Sequence, residues 1–256
     1  MKQLSLSTFN KKKLSVSIFN NLMTTAHEIA QINPLGLPDL VKAILRPLQA
    51  EHIYFVAERD PHNAPPAIDR YNFFMRDQPW RLSWVYGDGA YAEGERINPE
   101  PFRVRLGKDL VLPTCWNRSR FEGALASIGS QKTTAWTDRT WRADSNHNVL
   151  IWLPWGIAFV LGGNHSISAG ILAGEGEVEA TEVYDLGQVI DQVRCDGKVY
   201  VRIDNGEVIA RVTDVRRAAV FEIGRIMRDN GISAFPEALR QGQLETLVAT
   251  RNLTIR

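Results

Sequence analysis

Residues Val160–Ile171 have the sequence VLGGNHSISAGI, and they decide how the centre of this chain folds. An apolar stretch typical of a strand leads into Gly162-Gly163, and the residues after the glycines are typical of a helix. A helix that begins directly after paired glycines leaves its first backbone N–H groups unpaired at the positive end of its dipole, which is the arrangement that binds phosphate. The alternative is a structural turn in which the glycines only allow a positive φ and a local hydrogen bond satisfies His165.

Three polar side chains follow the two glycines. Asn164, His165 and Ser166 place an amide, an imidazole and a hydroxyl in the first turn of one helix. All three could face a ligand, and few purely structural turns need all of them. The sequence therefore predicts a functional site at Gly162–Ser166, the segment that we call the GGNHS box.

The segment before the box has the pattern of a β-hairpin. Two apolar runs, Val149–Leu153 and Ile157–Leu161, flank Pro154-Trp155-Gly156, which predicts two strands that deliver the box to a sheet edge. The polar residues Asp144–Asn148 precede the hairpin, and we expect a solvent-exposed turn there. The alternative is that Asp144 and His147 approach His165.

The box resembles a motif of the ParB/sulfiredoxin fold, in which sulfiredoxins carry Phe-Gly-Gly-Cys-His-Arg at a strand-to-helix turn that binds nucleotide phosphates. The chain has Leu161-Gly162-Gly163-Asn164-His165-Ser166 there, and Arg120–Ile128 resembles the family helix Lys-x-x-Ser-x-x-x-Thr-Ile. The resemblance covers roughly residues 113–185 and implies a mixed α/β core. It also implies that Arg120 and Ser127 contact the nucleotide.

Two departures from the family pattern limit the chemistry. Asn164 stands at the position of the catalytic cysteine of sulfiredoxin, and an amide cannot form the sulfur-linked intermediates of sulfinic acid repair. Ser166 replaces the arginine of the motif and removes a charged fork for phosphate. Phosphate binding then relies on backbone amides and on a basic residue elsewhere, for which Arg118 and Arg120 are the candidates.

The chain is also similar to the Osa-type fertility-inhibition proteins of conjugative plasmids, a branch of this fold to which ATPase and DNase activities are attributed. The similarity runs from Trp116-Asn117-Arg118 through the box to Phe221–Arg225. It implies a plasmid-encoded inhibitor of conjugative DNA transfer that acts through ATP hydrolysis, DNase activity or both at the GGNHS box, with ATP as the expected ligand and Mg²⁺ as a candidate ion. The alternative is a non-catalytic module that binds and blocks a protein of the transfer apparatus.

Composition favours a globular protein whose charge is balanced. The 256 residues are 44% hydrophobic, and 30 Lys and Arg against 29 Asp and Glu give a net charge of +1. Such a chain has no global basic field, so DNA would have to bind a local patch. The two distant cysteines and the absence of a long apolar run predict a cytoplasmic protein with no integral membrane segment.

Periodicity divides the chain into an N-terminal helical extension over residues 1–50 and a domain over 51–256 that ends in a peripheral C-terminal helix. The extension contains a helix that ends at Asn33–Gly36 and a second one over about residues 38–49, limited by Pro47. A strand is predicted at Ile53–Ala57, a hairpin around Asn205-Gly206, and a helix from the N-cap Thr213 to about Asn230.

These patterns give three sets of candidate residues. Phosphate chemistry without a thiol needs a base or acid and a means of stabilising charge, and the candidate catalytic residues are His165, Asn164, Glu122 and Asp144. The candidate nucleotide-binding residues are Gly162, Gly163, Asn164, His165, Ser166, Arg118, Arg120 and Ser127. The candidate DNA-binding residues are Arg118, Arg120, Lys132, Arg139 and Arg142, and no metal-binding motif is predicted.

Overall fold

The computed structural model describes residues 2–59, 68, 70–75, 81–82 and 93–242, and it has a mixed α/β architecture as predicted. The chain forms two compact units, each assembled from three segments. The first unit contains Met1–Leu45, Asp69–Glu95 and Asp185–Ile232, and the second contains Arg46–Ile68, Arg96–Tyr184 and Ser233–Arg256. None of the described helices is long and apolar enough to cross a membrane.

Two long helices begin the chain. Helix α1 (Lys2–Ile32) ends before a 3-10 turn at Pro34–Gly36, which confirms the predicted end of the first helix. Helix α2 extends over Leu37–Glu58, so the predicted stop near Gln49 and the predicted strand at Ile53–Ala57 are wrong. The physical reason is a stripe of buried residues at four-residue spacing, Leu37, Val41, Leu45, Gln49 and Ile53. This stripe is helical, and Pro47 lies on its exposed side within the helix.

The first unit has a three-stranded antiparallel sheet, in which Val199–Arg202 lies between Val193–Cys195 and Val208–Arg211. After α5 (Gly187–Gln192), the strands are β9 (Val193–Cys195), β10 (Val199–Arg202) and β11 (Val208–Arg211), and the predicted Asn-Gly hairpin joins the last two. Helix α6 (Val215–Asp229) follows and packs against α1. Its N-cap is Asp214, whose carboxylate accepts from the amides of Arg216 and Arg217, rather than the predicted Thr213.

Two further strand pairings occur among the described residues. Strand β1 (Arg81–Leu82) pairs in parallel with β2 (Glu93–Ile97). Strand β3 (Arg103–Arg105) pairs antiparallel with β7 (Glu177–Glu179).

In the second unit, four neighbouring strands of a six-stranded sheet follow the order Glu182–Asp185, Asn148–Leu153, Ile157–Gly162 and Leu110–Leu112. These strands are β4 (Leu110–Leu112), β5 (Asn148–Leu153), β6 (Ile157–Gly162) and β8 (Glu182–Asp185). Strands β5 and β6 form the predicted antiparallel hairpin, and their apolar side chains make the core with those of β4. Helices α3 (Arg118–Ser127) and α4 (Asn164–Ala173) pack against each other.

The parallel pairing of β4 with β6 determines where the box lies. Because β4 and β6 are neighbours that run in the same direction, their carboxyl ends meet at one edge of the sheet. The loop Pro113–Asn117 follows β4, and the box follows β6, so the two segments lie side by side. Ligands commonly bind at this edge in α/β proteins.

Residues 236–242 are helical and belong to the second unit. The remainder of the predicted C-terminal helix, residues 243–256, lies outside the described residues. The boundary predicted between residues 50 and 51 falls within α2.

Candidate functional site

The GGNHS box forms the predicted strand-to-helix turn. Gly163 has φ +76°, in the left-handed region, and α4 begins at Asn164. A Cβ on Gly162 would lie 2.4 Å from the carbonyl oxygen of Asn146, and a Cβ on Gly163 would lie 2.2 Å from Cδ2 of His147. The turn before the hairpin therefore packs directly onto the two glycines.

His147 connects this turn to the box through both ring nitrogens. The Asp144 amide donates to Nδ1 at 2.9 Å, so Nδ1 holds the lone pair and Nε2 holds the proton. Nε2 then donates to the Ser166 hydroxyl at 2.6 Å, and that hydroxyl donates to the Gly163 carbonyl at 3.1 Å. The Ser166 hydroxyl thus accepts one hydrogen bond from His147 and donates its own proton to the Gly163 carbonyl.

Trp141 covers the same side of the box. Its ring stacks on His147 with centroids 4.9 Å apart, and its Nε1–H donates to the Ser166 carbonyl at 2.8 Å. Burial lowers the pKa of His147, and the nearby Asp144 carboxylate opposes that effect. The expected solvent-exposed turn is correct for Asp144 and wrong for His147, whose side chain is buried against Ser166 rather than close to His165. We call this side, formed by Trp141, His147 and Ser166, the covered face.

The opposite side of the box faces the loop after β4. The Thr114 amide donates to Oδ1 of Asn164 at 2.7 Å, and the Asn117 amide donates to Nε2 of His165 at 3.2 Å. His165 therefore carries its proton on Nδ1 when it is neutral. Nδ1 has no hydrogen-bond partner within the described part of the chain, so its N–H is available to a ligand.

An aromatic ring and a cation flank His165. The half-exposed Trp116 meets the His165 ring edge-to-face at 5.5 Å, and the guanidinium of Arg120 lies 5.2 Å from the Trp116 ring centroid. Burial lowers the pKa of His165, and the positive charge of Arg120 lowers it further. We call the side formed by Trp116, Arg120 and His165 the open face.

The first turn of α4 also has unused backbone donors. The first backbone hydrogen bond of this turn runs from the Ile167 amide to the Gly163 carbonyl at 2.9 Å. The amides of Asn164, His165 and Ser166 donate to no group among the residues that the structure describes. These three N–H groups lie at the positive end of the helix dipole, in the same turn as His165.

Other predicted residues lie apart from His165. Glu122 accepts from Arg118 at 3.0 Å, and the Ser127 hydroxyl donates to the Gly123 carbonyl at 2.5 Å, so both side chains are satisfied within α3. Lys132, Arg139 and Arg142 belong to the segment after α3. The structure thus brings Arg120 and the box together but places neither predicted carboxylate, Glu122 or Asp144, in contact with His165. No group of three or more His, Cys, Asp or Glu side chains that could hold a metal ion occurs in the described ranges.

Sequence reasoning missed three contributors to the site. Thr114 and Asn117 provide the backbone donors that orient Asn164 and His165, and Trp141 covers the box. The position of Asn117 could have been predicted from sequence, because an Asn directly before a helix is a typical N-cap. In the structure its Oδ1 accepts from the Arg120 amide. The position of Trp141 depends on tertiary packing that no local pattern encodes.

Comparison with known proteins gives one match. The model of a family of unknown function, DUF6710, matches residues 4–234, which is most of the chain. The chain belongs to this family. No curated protein and no solved structure matches it.

Proposed function

We propose that the protein binds a nucleotide at the open face and the adjoining first turn of α4. The observation that carries this proposal is a set of donors in one helical turn that have no acceptor among the described residues, namely three helix amides and the Nδ1–H of His165. Donors of this kind at a helix N-terminus suit the oxygens of a phosphate chain. The position at the carboxyl ends of β4 and β6 agrees with the usual location of ligand sites in α/β sheets.

Arg120 and Trp116 supply a positive charge and an aromatic surface, which the backbone amides of α4 do not have. Ser166 stands where the related motif has an arginine, and Arg120 offers a guanidinium beside His165 in its place. The indole of Trp116 is 51% exposed, and its ring face suits stacking against a nucleobase. We therefore assign the phosphates to α4 and Arg120, and the base to Trp116.

The geometry also defines what His165 would do in hydrolysis. Its Nε2 lone pair is engaged by the Asn117 amide, so the ring faces a ligand as a hydrogen-bond donor rather than as a base. In ATP or DNA hydrolysis, which the resemblance to Osa-type proteins implies, His165 would stabilise charge on the phosphate. On the same resemblance we propose a ParB/sulfiredoxin-like core and a role in inhibiting conjugative DNA transfer in the cytoplasm.

Calorimetric titration with ATP and with CTP, each with and without Mg²⁺, tests nucleotide binding. The wild-type protein should bind at least one of them, and His165→Ala and Arg120→Ala should each weaken binding about tenfold, which corresponds to losing one charge-assisted or ligand-facing hydrogen bond. Arg96→Ala is the matched control, because this exposed arginine lies on β2. Absence of binding by the wild-type protein, or equal affinity in all variants, contradicts the proposal.

The covered face favours a second candidate function. Packing of Asn146 and His147 onto the two glycines explains the Gly-Gly sequence without any ligand. The box would then be a structural turn in a module that inhibits a protein of the conjugation apparatus by binding it. A chain that binds no nucleotide, and whose His165→Ala variant still inhibits transfer in a mating assay, would support this second function over the first.

A further inference from the structure

The segment after α3 displays a tryptophan in solvent on a well-defined backbone. Three of the described tryptophans, Trp141, Trp152 and Trp155, are buried, whereas Trp136 is 95% exposed. We call residues 129–142 the Trp136 loop. Single exposed apolar side chains are common on protein surfaces, so exposure alone indicates little.

The hydrogen bonding of the loop fixes the backbone at Trp136. Thr134 and Thr137 exchange backbone hydrogen bonds of 3.0 and 3.3 Å, which closes a two-residue turn at Ala135-Trp136. The Trp136 amide donates to the Thr134 hydroxyl at 3.3 Å. The indole therefore lies at the tip of a closed turn, where it loses little backbone entropy when it binds a partner.

A single carboxylate holds the two ends of the loop together. Oε1 of Glu175 accepts from the Ser130 amide at 2.9 Å and from the Trp141 amide at 3.0 Å. Hydrogen bonding from the Ser130 side chain and from the Trp141 amide lowers the pKa of Glu175, and the charge of Lys132 acts in the same direction. The Gly129 amide also donates to the Arg139 carbonyl at 2.7 Å, so the base of the loop is closed by backbone bonds as well.

The side chains around Trp136 indicate the chemistry of its partner. The exposed stretch 133–140 contains four threonines and only one aliphatic residue, Ala135. A protein-binding hot spot or a membrane anchor would need further apolar side chains around the indole. Hydroxyl groups and an aromatic ring are instead typical of surfaces that bind nucleic acid strands.

The charges of the loop agree with a polyanionic partner. The loop contains Lys132, Arg139 and Arg142 against one acidic residue, Asp138, which pairs with Arg142. Lys132 is engaged by the Ile128 carbonyl, next to Glu175. The guanidinium of Arg139 has no partner among the described residues and is the cation available for a phosphate.

We propose that the Trp136 loop binds single-stranded nucleic acid by stacking a base on Trp136 and neutralising a phosphate with Arg139. A single strand is favoured over a duplex because only unpaired bases present their faces to an indole. This surface is distinct from the open face, and the proposal does not depend on nucleotide binding there.

Fluorescence anisotropy with a labelled 15-nucleotide oligothymidine tests the proposal. The wild-type protein should bind the oligonucleotide at low salt, and Trp136→Ala should weaken binding about 5- to 150-fold, which is the usual loss when one stacked base is removed. Arg139→Ala should reduce the log–log salt slope by about 0.7. Leu172→Ala, which truncates another exposed apolar side chain, is the control and should bind as the wild type does.

Three outcomes would overturn the proposal. The first is no oligonucleotide binding by the wild-type protein at low salt, and the second is unchanged affinity in Trp136→Ala. The third is binding to vesicles of anionic phospholipid that requires Trp136 while the oligonucleotide does not bind, which would assign the loop to a membrane. Calorimetry with ATP or CTP on the folded Trp136→Ala variant separates this proposal from the nucleotide site, because that variant should keep any wild-type nucleotide affinity.

Discussion

The two faces of the GGNHS box use the same helical turn in opposite ways. On the covered face, His147, Ser166 and the Gly163 carbonyl form a closed series of hydrogen bonds beneath Trp141. On the open face, Nε2 of His165 accepts from the loop after β4, and Nδ1 has no partner among the residues that the structure describes. Within these five consecutive residues, Gly163 and Ser166 stabilise the turn, whereas His165 keeps a donor for a ligand. We call these two parts the structural half and the donor half of the box.

Loss of Trp141 should have the largest effect, because it removes the cover of the closed half. Trp141→Ala should reduce the free energy of unfolding by about 3–5 kcal/mol, since it deletes a buried aromatic side chain and its hydrogen bond to the Ser166 carbonyl. Urea unfolding measures this value. Trp136→Ala is the control and should change the free energy of unfolding by less than about 0.5 kcal/mol. Equal losses in the two variants would mean that the covered face is not closed by Trp141.

Gly163→Val should destabilise the protein by about 2–4 kcal/mol, because a β-branched residue is strained at φ +76° and its Cβ would overlap His147. The obstacle is a packed side chain rather than a ligand, so the effect should appear in thermal unfolding without nucleotide. Gly123→Ala in α3 is the matched control, since a Cβ there meets no atom within 4 Å, and it should stabilise the helix by up to about 1 kcal/mol. A fully stable Gly163→Val variant would show that the covered face rearranges easily.

The pH dependence of stability tests the burial of His147. The pKa of His147 is lowered in the folded protein, so the unfolded chain takes up a proton more readily, and stability should fall as the pH drops below the unfolded value of about 6.5. His147→Gln should flatten this fall in urea titrations between about pH 5 and 7. Asp144→Asn should steepen it, because the Asp144 carboxylate is the charge that opposes the lowering. An unchanged pH profile in both variants would show that protonation of His147 does not cause the loss of stability at low pH.

His165→Ala should have the smallest effect on stability. The ring is half-buried and accepts one hydrogen bond, so its loss should cost about 1 kcal/mol or less in the free energy of unfolding. If the open face binds nucleotide as proposed, the same variant should nevertheless lose most of its nucleotide affinity. A loss of several kcal/mol in stability would place His165 in the structural half of the turn.

The elements around the box could be predicted from sequence because their signals are local. Two uninterrupted apolar runs joined by Pro154-Trp155-Gly156 define the β5–β6 hairpin, and the paired glycines define the start of α4. The strand predicted at Ile53–Ala57 was wrong, because the β-branched and aromatic residues of this stretch have strand propensity although it belongs to α2. The longer four-residue burial pattern of α2 determined its conformation instead.

The division of the box into two faces could not be predicted, because it depends on contacts between distant segments. His147 reaches Ser166 only because the turn before β5 folds back onto the glycines. Asn117 reaches His165 only because β4 pairs in parallel with β6, a strand more than forty positions further along the chain. Local composition predicted a functional site at the box, but it did not indicate which of its side chains would form hydrogen bonds within the protein.

The pairing of α1 with α6 has a consequence for how the protein is made. The ribosome completes α1 at Ile32, but the helix against which it packs begins at Val215. At typical translation rates, roughly 180 residues correspond to a delay on the order of 10 to 40 seconds. During that interval the apolar stripe of α1, which includes Phe19 and Ala26, has no α6 to cover it. The nascent chain is therefore a candidate client for ribosome-associated chaperones, and the first unit completes its fold only after α6 has been synthesised.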